Sequence, residues 1–225
     1  MPVRSEDIDK LKDMLLNMAS LVESSIQDSV RSLVERDSDL ALKVIEKDHL
    51  INAMDVQIDE ECIRLLALMQ PMGGDLRFIT TAMKITTDLE RIGDNSVNIA
   101  ERAIELNTEP LLKPYIDIPK MRNISSGMIR DAINAFVTKD KRLAMDVIMR
   151  DDEMDDLNAS VLHELAFIMT QDPSTVHRAM KISYVSKYLE RIADHATNIA
   201  EMVIYLVAGK IIRHMTLPEE GGEAD

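Results

Sequence analysis

Apolar positions recur at helical spacing along most of the chain, and short polar breaks separate the runs. This pattern predicts a first helix from Ser5, followed by a turn and N-cap signal at 37–39. A second helix is predicted from about 40 to 69. Residues 70–75 contain a proline and two glycines and end it, and a third helix is predicted from about 76 to 106.

The second half of the chain follows the same order of elements. Three prolines between 107 and 119 indicate a linker, and the turn at Lys139-Asp140-Lys141 matches Arg36-Asp37-Ser38. One helix is then predicted through 147–168, and a last one ends near Gly209. We therefore expect an all-α protein of two tandem three-helix bundles, elongated in shape. The expected ranges are 1–108 for the first bundle, 109–119 for the linker, 120–216 for the second bundle and 217–225 for a disordered tail.

A repeated motif supports this division. The segment 89–101 recurs at 189–201, one hundred positions later, and nine of its thirteen positions are identical. In a helix, its apolar residues lie on one side and its acids on nearly the opposite side. Packing explains why the apolar types recur. It does not explain why the same acids and amides recur, because a solvated face accepts almost any polar residue. We interpret this excess identity as a functional signal.

The repeated acids can form sites with acids on the preceding helices. In each half, two carboxylates four positions apart share a face of the motif helix, and oxygen-bearing side chains four apart occur on the second helix. If the two helices are antiparallel, the pairs approach each other, and we expect a metal site on the outside of each bundle. Its residues are Asp48, Asn52, Glu90 and Asp94 in the first half, and Asp151, Asp155, Glu190 and Asp194 in the second. Oxygen ligands favour hard cations such as Mg²⁺, Mn²⁺, Fe or Ca²⁺.

The charge and composition of the chain limit the kinds of partner that it can bind. The formal net charge of −14 argues against nucleic acid, which requires a basic surface, and suits cations or basic protein surfaces. A single cysteine, Cys62, excludes a disulfide framework. No run reaches the length of a membrane span and no signal-peptide core is present, so we expect a cytoplasmic protein that meets a membrane only through partners.

Two other classes of protein stay open. A carboxylate-bridged metalloenzyme of the ferritin-like type needs Glu-x-x-His on two helices, but only Glu46 to His49 fits, and the equivalent positions carry Met149 and Asp152. We find no nucleophile elbow, Gly-rich phosphate loop or Cys–His pair and expect no enzymatic activity. The other alternative is a metal-free helical interaction protein, in which the acids form a solvated face.

The chain resembles the PhoU family of phosphate-signalling regulators. The resemblance rests on the doubled Leu-Glu-Arg-Ile-x-Asp motif, on Gln70-Pro71 followed by Asp75-Leu76-Arg77, and on Asp48-x-x-Ile51-Asn52. It implies two surface clusters of iron, zinc, manganese or magnesium, bound by paired Glu/Asp-x-x-x-Asp motifs. The sequence departs from this pattern at Asn52, which replaces a carboxylate.

The resemblance also implies a role. PhoU-like proteins repress the phosphate-starvation response and restrain phosphate uptake, and they couple the ATPase subunit of a phosphate ABC transporter to a sensor histidine kinase. It leaves a homodimer open as one oligomeric state. The further polar residues of the motif are candidates for contacts with partners: Arg91, Asn98, Glu101, Arg191, Asn198 and Glu201.

Overall fold

The computed structural model describes residues 4–209, which contain seven α-helices, one 3₁₀ helix and no strand. The all-α fold is therefore confirmed. The helices of the first half are α1 (Ser5–Val34), α2 (Ser38–Met69) and α3 (Gly74–Asn107). Those of the second half are α4 (Asp117–Thr138), α5 (Lys141–Met149), α6 (Asp151–Gln171), the 3₁₀ helix (Pro173–Thr175) and α7 (Val176–Ala208). Residues 210–216 of the expected second bundle and the expected tail at 217–225 lie outside the described residues.

The two matching turns begin their helices in the same way. The Asp37 carboxylate accepts a hydrogen bond from the backbone N–H of Leu40, and the Asp140 carboxylate accepts from two backbone N–H groups of α5. A residue with left-handed backbone precedes each cap: Arg36 and Lys139, both with φ of 57°. A carboxylate at this position satisfies donors that have no partner inside the helix. The predicted turns are confirmed.

The prediction of one continuous second helix in the second half was wrong. The chain breaks at Arg150, which separates α5 from α6. The backbone N–H of Arg150 donates to Val147 three residues back, at 3.1 Å, and its Nε donates to the Asp146 carbonyl at 3.3 Å. These bonds tighten the last turn of α5. No glycine or proline marks the break, so the sequence pattern does not reveal it.

The linker is shorter than predicted and is held by both bundles. Helix α4 begins at Asp117, which places Pro119 in its first turn, where a missing N–H costs little. Arg36 Nη2 donates to the carbonyl oxygens of Asn107 and Glu109 at 2.7 and 2.6 Å. From the second bundle, Arg178 Nη1 donates to the Pro110 carbonyl at 3.1 Å.

The two bundles lie side by side and share one apolar core. Helix α3 packs on α7, and α1 packs on α4. The Phe78 and Phe136 rings, from α3 and α4, stack with centroids 4.6 Å apart. The predicted inward residues of both motifs are fully buried: Leu89, Ile92, Ser96, Ile99, Ala103, Leu189, Ile192, Ala196, Ile199 and Val203. Within residues 4–209, no helix combines the length and apolar character needed to cross a lipid bilayer.

Candidate functional site

The first acidic cluster lies where α2 packs on α3. It consists of Asp48 and Asn52 from α2 with Glu90 and Asp94 from α3. Gly93 of α3 lies against these α2 side chains, since an added Cβ would lie 3.1 Å from Ile51 Cδ1 and 3.5 Å from Asp48 Oδ1. Burial, together with the nearby charge of Asp94, raises the pKa of Asp48. Asp48 of α2 therefore lies close enough to Asp94 of α3 for their charges to interact.

Asn52 supports Asp48 from the next turn of α2. Its Nδ2 donates a hydrogen bond to Asp48 Oδ2 at 2.9 Å. The other carboxylate oxygen, Asp48 Oδ1, is buried and has no hydrogen-bond partner. A buried carboxylate oxygen without a donor is costly, and it is the kind of atom that a cation would satisfy.

The second acidic cluster consists of Asp151 and Asp155 from α6 with Glu190 and Asp194 from α7. Burial raises the pKa of Asp151 to about 6, with further contributions from the charges of Asp194, Asp155 and Glu190. Burial also raises the pKa of Asp194, followed by the charge of Glu190. Four carboxylates thus influence one another across the α6–α7 contact.

The expectation that all these acids face outward was wrong for Glu190. Its residue is only 8% exposed, and Glu190 Oε2 and Asp151 Oδ1 are both buried without hydrogen-bond partners. Glu190 Oε1 accepts a hydrogen bond from Lys187 Nζ, one turn earlier on α7. Its side chain is therefore covered by the packing of the bundle, whereas Asp155 and Asp194 are exposed. The second cluster therefore combines buried carboxylate oxygens of Asp151 and Glu190 with the exposed carboxylates of Asp155 and Asp194.

The side chains do not form a complete ligand set as they stand. Within residues 4–209, no group of three or more His, Cys, Asp or Glu side chains has the geometry to hold a metal ion. The donor chemistry nevertheless fits a hard cation, since both clusters supply oxygen atoms and three of those atoms are buried without a donor. The exposed side chains of a cluster must rotate to bring its oxygen atoms around one ion.

The further polar residues of the motif differ in exposure. Four are exposed and available to a partner: Arg91, Glu101, Arg191 and Asn198. Asn98 and Glu201 are partly buried, so they offer less surface. The charge of Arg91 opposes the rise in the pKa of Glu90, which burial and the neighbouring acids cause.

Asp55 was missed by the sequence analysis. This partly buried α2 residue contributes, after burial and Asp94, to the raised pKa of Glu90. The offset of 103 residues that relates Asp48 to Asp151 also relates Asp55 to Asn158. The matching amide at Asn158 is the sequence signal that could have identified Asp55. Asn158 is buried, and its Oδ1 accepts a hydrogen bond from Ser186 Oγ at 2.7 Å. The first cluster therefore has an acid that the second replaces with a structural amide.

The fold and the duplicated acidic clusters define a helical protein with one polar site in each half and no recognisable catalytic constellation among the described residues. The model of the PhoU domain matches twice, at residues 15–103 and 118–203. This chain belongs to the PhoU family.

The similarity of this chain to its relatives and to solved structures extends along nearly its whole length. Proteins described as phosphate-specific transport system accessory protein PhoU homologues are 42% identical in Pseudomonas putida, over 94% of this chain and 83% of the relative, and 42% identical in Aquifex aeolicus, over 96% and 98%. The crystal structure of PhoU from Pseudomonas aeruginosa has a TM-score of 0.87 at 40% identity, covering 91% of this chain and 99% of that one. The phosphate transport system regulatory protein PhoU of Streptococcus pneumoniae has a TM-score of 0.85 at 29% identity, covering 91% and 96%.

Proposed function

We propose that this protein is a negative regulator of the phosphate-starvation response and of phosphate uptake. In this proposal it is a cytoplasmic adaptor between the ATPase subunit of a phosphate ABC transporter and a sensor histidine kinase. The observation that carries the proposal is the match, over more than nine-tenths of the chain, to relatives described as accessory proteins of the phosphate-specific transport system. The net charge of −14 fits docking on basic protein surfaces rather than on nucleic acid.

The two acidic clusters are the proposed metal sites. The support is chemical: Asp48 Oδ1, Asp151 Oδ1 and Glu190 Oε2 are buried oxygens without donors, and burial together with neighbouring carboxylates raises the pKa of Asp48 in the first cluster and of Asp151 in the second. Iron, zinc, manganese and magnesium are the candidate ions. A bound ion would offset the repulsion among the carboxylates and give each bundle a positive point at its surface.

The buried and exposed members of each cluster have separate tasks in this proposal. Asp151 and Glu190 are held by packing and define where the ion lies, while the exposed Asp155 and Asp194 rotate towards it. In the first cluster, Asn52 supplies an amide in place of a carboxylate. We therefore expect the first site to bind metal more weakly than the second, although Asp55 adds a nearby negative charge.

The metal proposal is tested by elemental analysis of protein purified without chelators or a metal-binding tag. The parent is compared with a variant carrying Glu90→Ala, Asp94→Ala, Glu190→Ala and Asp194→Ala. We expect stoichiometric metal in the parent and none in the variant. Absence of metal from the parent, even after reloading, would contradict this proposal.

A charge-matched control is available on exposed surfaces away from the clusters. Glu6→Ala, Asp13→Ala, Glu60→Ala and Asp75→Ala remove the same number of carboxylates from exposed positions. This variant should retain metal, which separates a specific site from the general attraction of an acidic protein for cations. Circular dichroism should show native helicity in both variants.

The regulatory role needs a cellular test. Deletion of the gene should activate a phosphate-starvation reporter in phosphate-rich medium, and the parent should restore repression. Pull-down of the transporter ATPase subunit and of the kinase should accompany complementation. A deletion strain whose reporter stays repressed in phosphate-rich medium would refute the role as negative regulator, whatever the metal content.

The two alternative classes make different predictions. A metalloenzyme requires turnover that the four-carboxylate variant loses, and a metal-free interaction protein requires full repression by a protein without metal. The family consists of accessory and regulatory proteins, and we propose no catalytic activity. Complementation by the four-carboxylate variant would favour the metal-free alternative.

A further inference from the structure

A polar groove of about 310 Å³ lies between α1 and α4, where the two bundles meet on the side away from the α3–α7 contact. Helix α1 contributes Ser20 and Ser24, and α4 contributes Arg122, Ser126 and Arg130. The three α4 residues are four positions apart and therefore lie along one face of the helix. A contact between apolar helices does not require such a surface, because polar groups at a packing interface lose contact with water.

Two donors in this groove have no partner. Arg122 Nε and Ser126 Oγ are both buried, and neither makes a hydrogen bond with the described residues. A buried donor without an acceptor destabilises the folded protein. An arginine Nε can only donate, so an acceptor is required to satisfy it.

Two arginines line the groove, and Arg122 is the one whose charge is not balanced there by a carboxylate. The Arg130 guanidinium donates to Glu23 Oε2, with Nη2 at 2.7 Å. Arg150 lies behind Gly127 and is bound to Asp131 at 2.5 Å. A cationic site of this kind is unexpected in a chain with a net charge of −14.

The number and position of the donors indicate the ligand. The Ser20 hydroxyl and the Gln27 amide on α1 face an arginine, an asparagine amide and a hydroxyl on α4, so donors approach from both helices, while the Ser24 hydroxyl already donates to the Ser20 carbonyl. A carboxylate presents only two oxygens, whereas a tetrahedral oxyanion presents acceptors in several directions. The volume is about ten times the roughly 30 Å³ that one water occupies in the liquid, so a single bridging water does not fill it.

We propose that this groove binds a phosphate oxyanion, either as inorganic phosphate or as the phosphoryl group of a small ester. Arg122 binds the anion through its guanidinium, Ser126 donates from the next turn of α4, and Ser20 donates from α1. Because these residues come from both halves of the chain, a bound anion connects the two bundles. The site is separate from the acidic clusters and requires no metal.

The test is isothermal titration of chelator-treated, metal-free protein with inorganic phosphate and, separately, with glycerol 3-phosphate. We expect saturable binding of at least one of them, weakened at least tenfold by Arg122→Gln and several-fold by Ser126→Ala. Tighter binding of inorganic phosphate identifies the free anion as the ligand, and tighter binding of glycerol 3-phosphate identifies an ester. Arg142→Gln, at an exposed arginine of α5, is the matched control and should leave the affinity unchanged.

Two results would overturn the proposal. One is sulfate binding as tightly as phosphate, which indicates an adventitious ion only. The other is an Arg122→Gln variant that is folded by circular dichroism and binds phosphate as the parent does. The four-carboxylate variant should retain full phosphate binding, so failure at the groove leaves the proposed metal sites untouched.

Discussion

His195 Nδ1 lies 2.8 Å from Asp88 Oδ1, and this hydrogen bond joins α7 of the second bundle to α3 of the first. The two side chains are only 14% and 16% exposed. His195 occupies a position inside the repeated motif where the first copy has Asn95. The motif helices therefore carry residues for contact between the bundles as well as for the acidic clusters.

Loss of this contact should destabilise the protein by a measurable amount. We expect a coupling free energy of about 0.5–1.5 kcal/mol between Asp88→Ala and His195→Ala, because the bond is largely shielded from water. Urea unfolding of the two single variants and the double variant measures it. The exposed Arg31–Glu35 pair, at 4.0 Å, is the control and should show no measurable coupling. Coupling no larger than that of the control would show that the contact does not stabilise the bundle arrangement.

Acid should weaken the contact between α1 and α2 through Glu61. A hydrogen bond from Arg64 and the nearby Lys10 lower the pKa of Glu61 from 4.5 to about 2. The folded state thus favours the charged form, so this contribution is complete above pH 4.5 and is lost as the pH falls towards 2. We expect Glu61→Gln to lower the free energy of unfolding by about 1–2 kcal/mol at pH 7, less than the full shift implies because Arg64 and Lys10 are partly exposed.

The measurement is urea unfolding of the Glu61→Gln variant and the parent at pH 7 and pH 3. The difference between them should shrink at pH 3. Glu60→Gln, at the exposed neighbouring position, should match the parent at both values. A difference that stays constant with pH would mean that Glu61 stabilises the helices by packing rather than by charge.

Asp151→Asn should change stability and metal binding in opposite directions. In metal-free protein, Asp151 lies among three other acids and burial raises its pKa to about 6, so the charged form, which still predominates at pH 7, is less favourable in the folded protein than in the unfolded chain. The neutral amide should raise the free energy of unfolding by about 1 kcal/mol. Metal affinity at the second cluster should fall, because a carboxylate ligand is lost.

Thermal unfolding with a chelator tests the stability of this variant, and metal titration tests its affinity. The melting temperature should rise by about 2–4 °C per kcal/mol gained. Asp152→Asn, at the exposed next residue, should change neither quantity. If Asp151→Asn instead lowered the melting temperature of the metal-free protein, the Asp151 carboxylate would be a structural group.

Gly93 sets the distance between α2 and α3 at the first cluster. A Cβ at this position would lie 3.1 Å from Ile51 Cδ1, which is closer than ordinary contact. Ile51→Val removes that methyl group and should normally cost about 0.5–1.5 kcal/mol. In a Gly93→Ala background it should cost less, because it removes the closer of the two tight contacts, while Cγ2 at 3.2 Å remains.

A double-mutant cycle by urea unfolding measures this effect. The second bundle provides a comparison within the same protein. Ala193 occupies the position equivalent to Gly93 and is fully buried, so a Cβ is accommodated there. Strictly additive free energies for Gly93→Ala and Ile51→Val would show that α2 moves away without resistance and that Gly93 is not required for close packing.

Features that depend on neighbouring residues could be predicted from the sequence. The apolar stripes follow from helical periodicity, and the starts of α2 and α5 follow from an aspartate that caps its own helix. The acidic clusters could be predicted because acids recur on the motif helices at an offset of 100 residues, and oxygen-bearing side chains recur on the preceding helices at an offset of 103. Asp55 escaped this argument because its counterpart, Asn158, became a structural amide bound to Ser186.

The sequence by itself determined the all-helical class, the duplicated arrangement and the candidate residues of the two acidic clusters other than Asp55, because periodicity, capping and repetition act over a few residues or between two copies of one segment. Only the tertiary structure decided the break at Arg150, the burial of Glu190, the Asp88–His195 contact and the polar groove around Arg122. Each of these depends on which helix packs against which. Residues far apart in the sequence then share one environment, and burial and charge there cannot be inferred from local pattern.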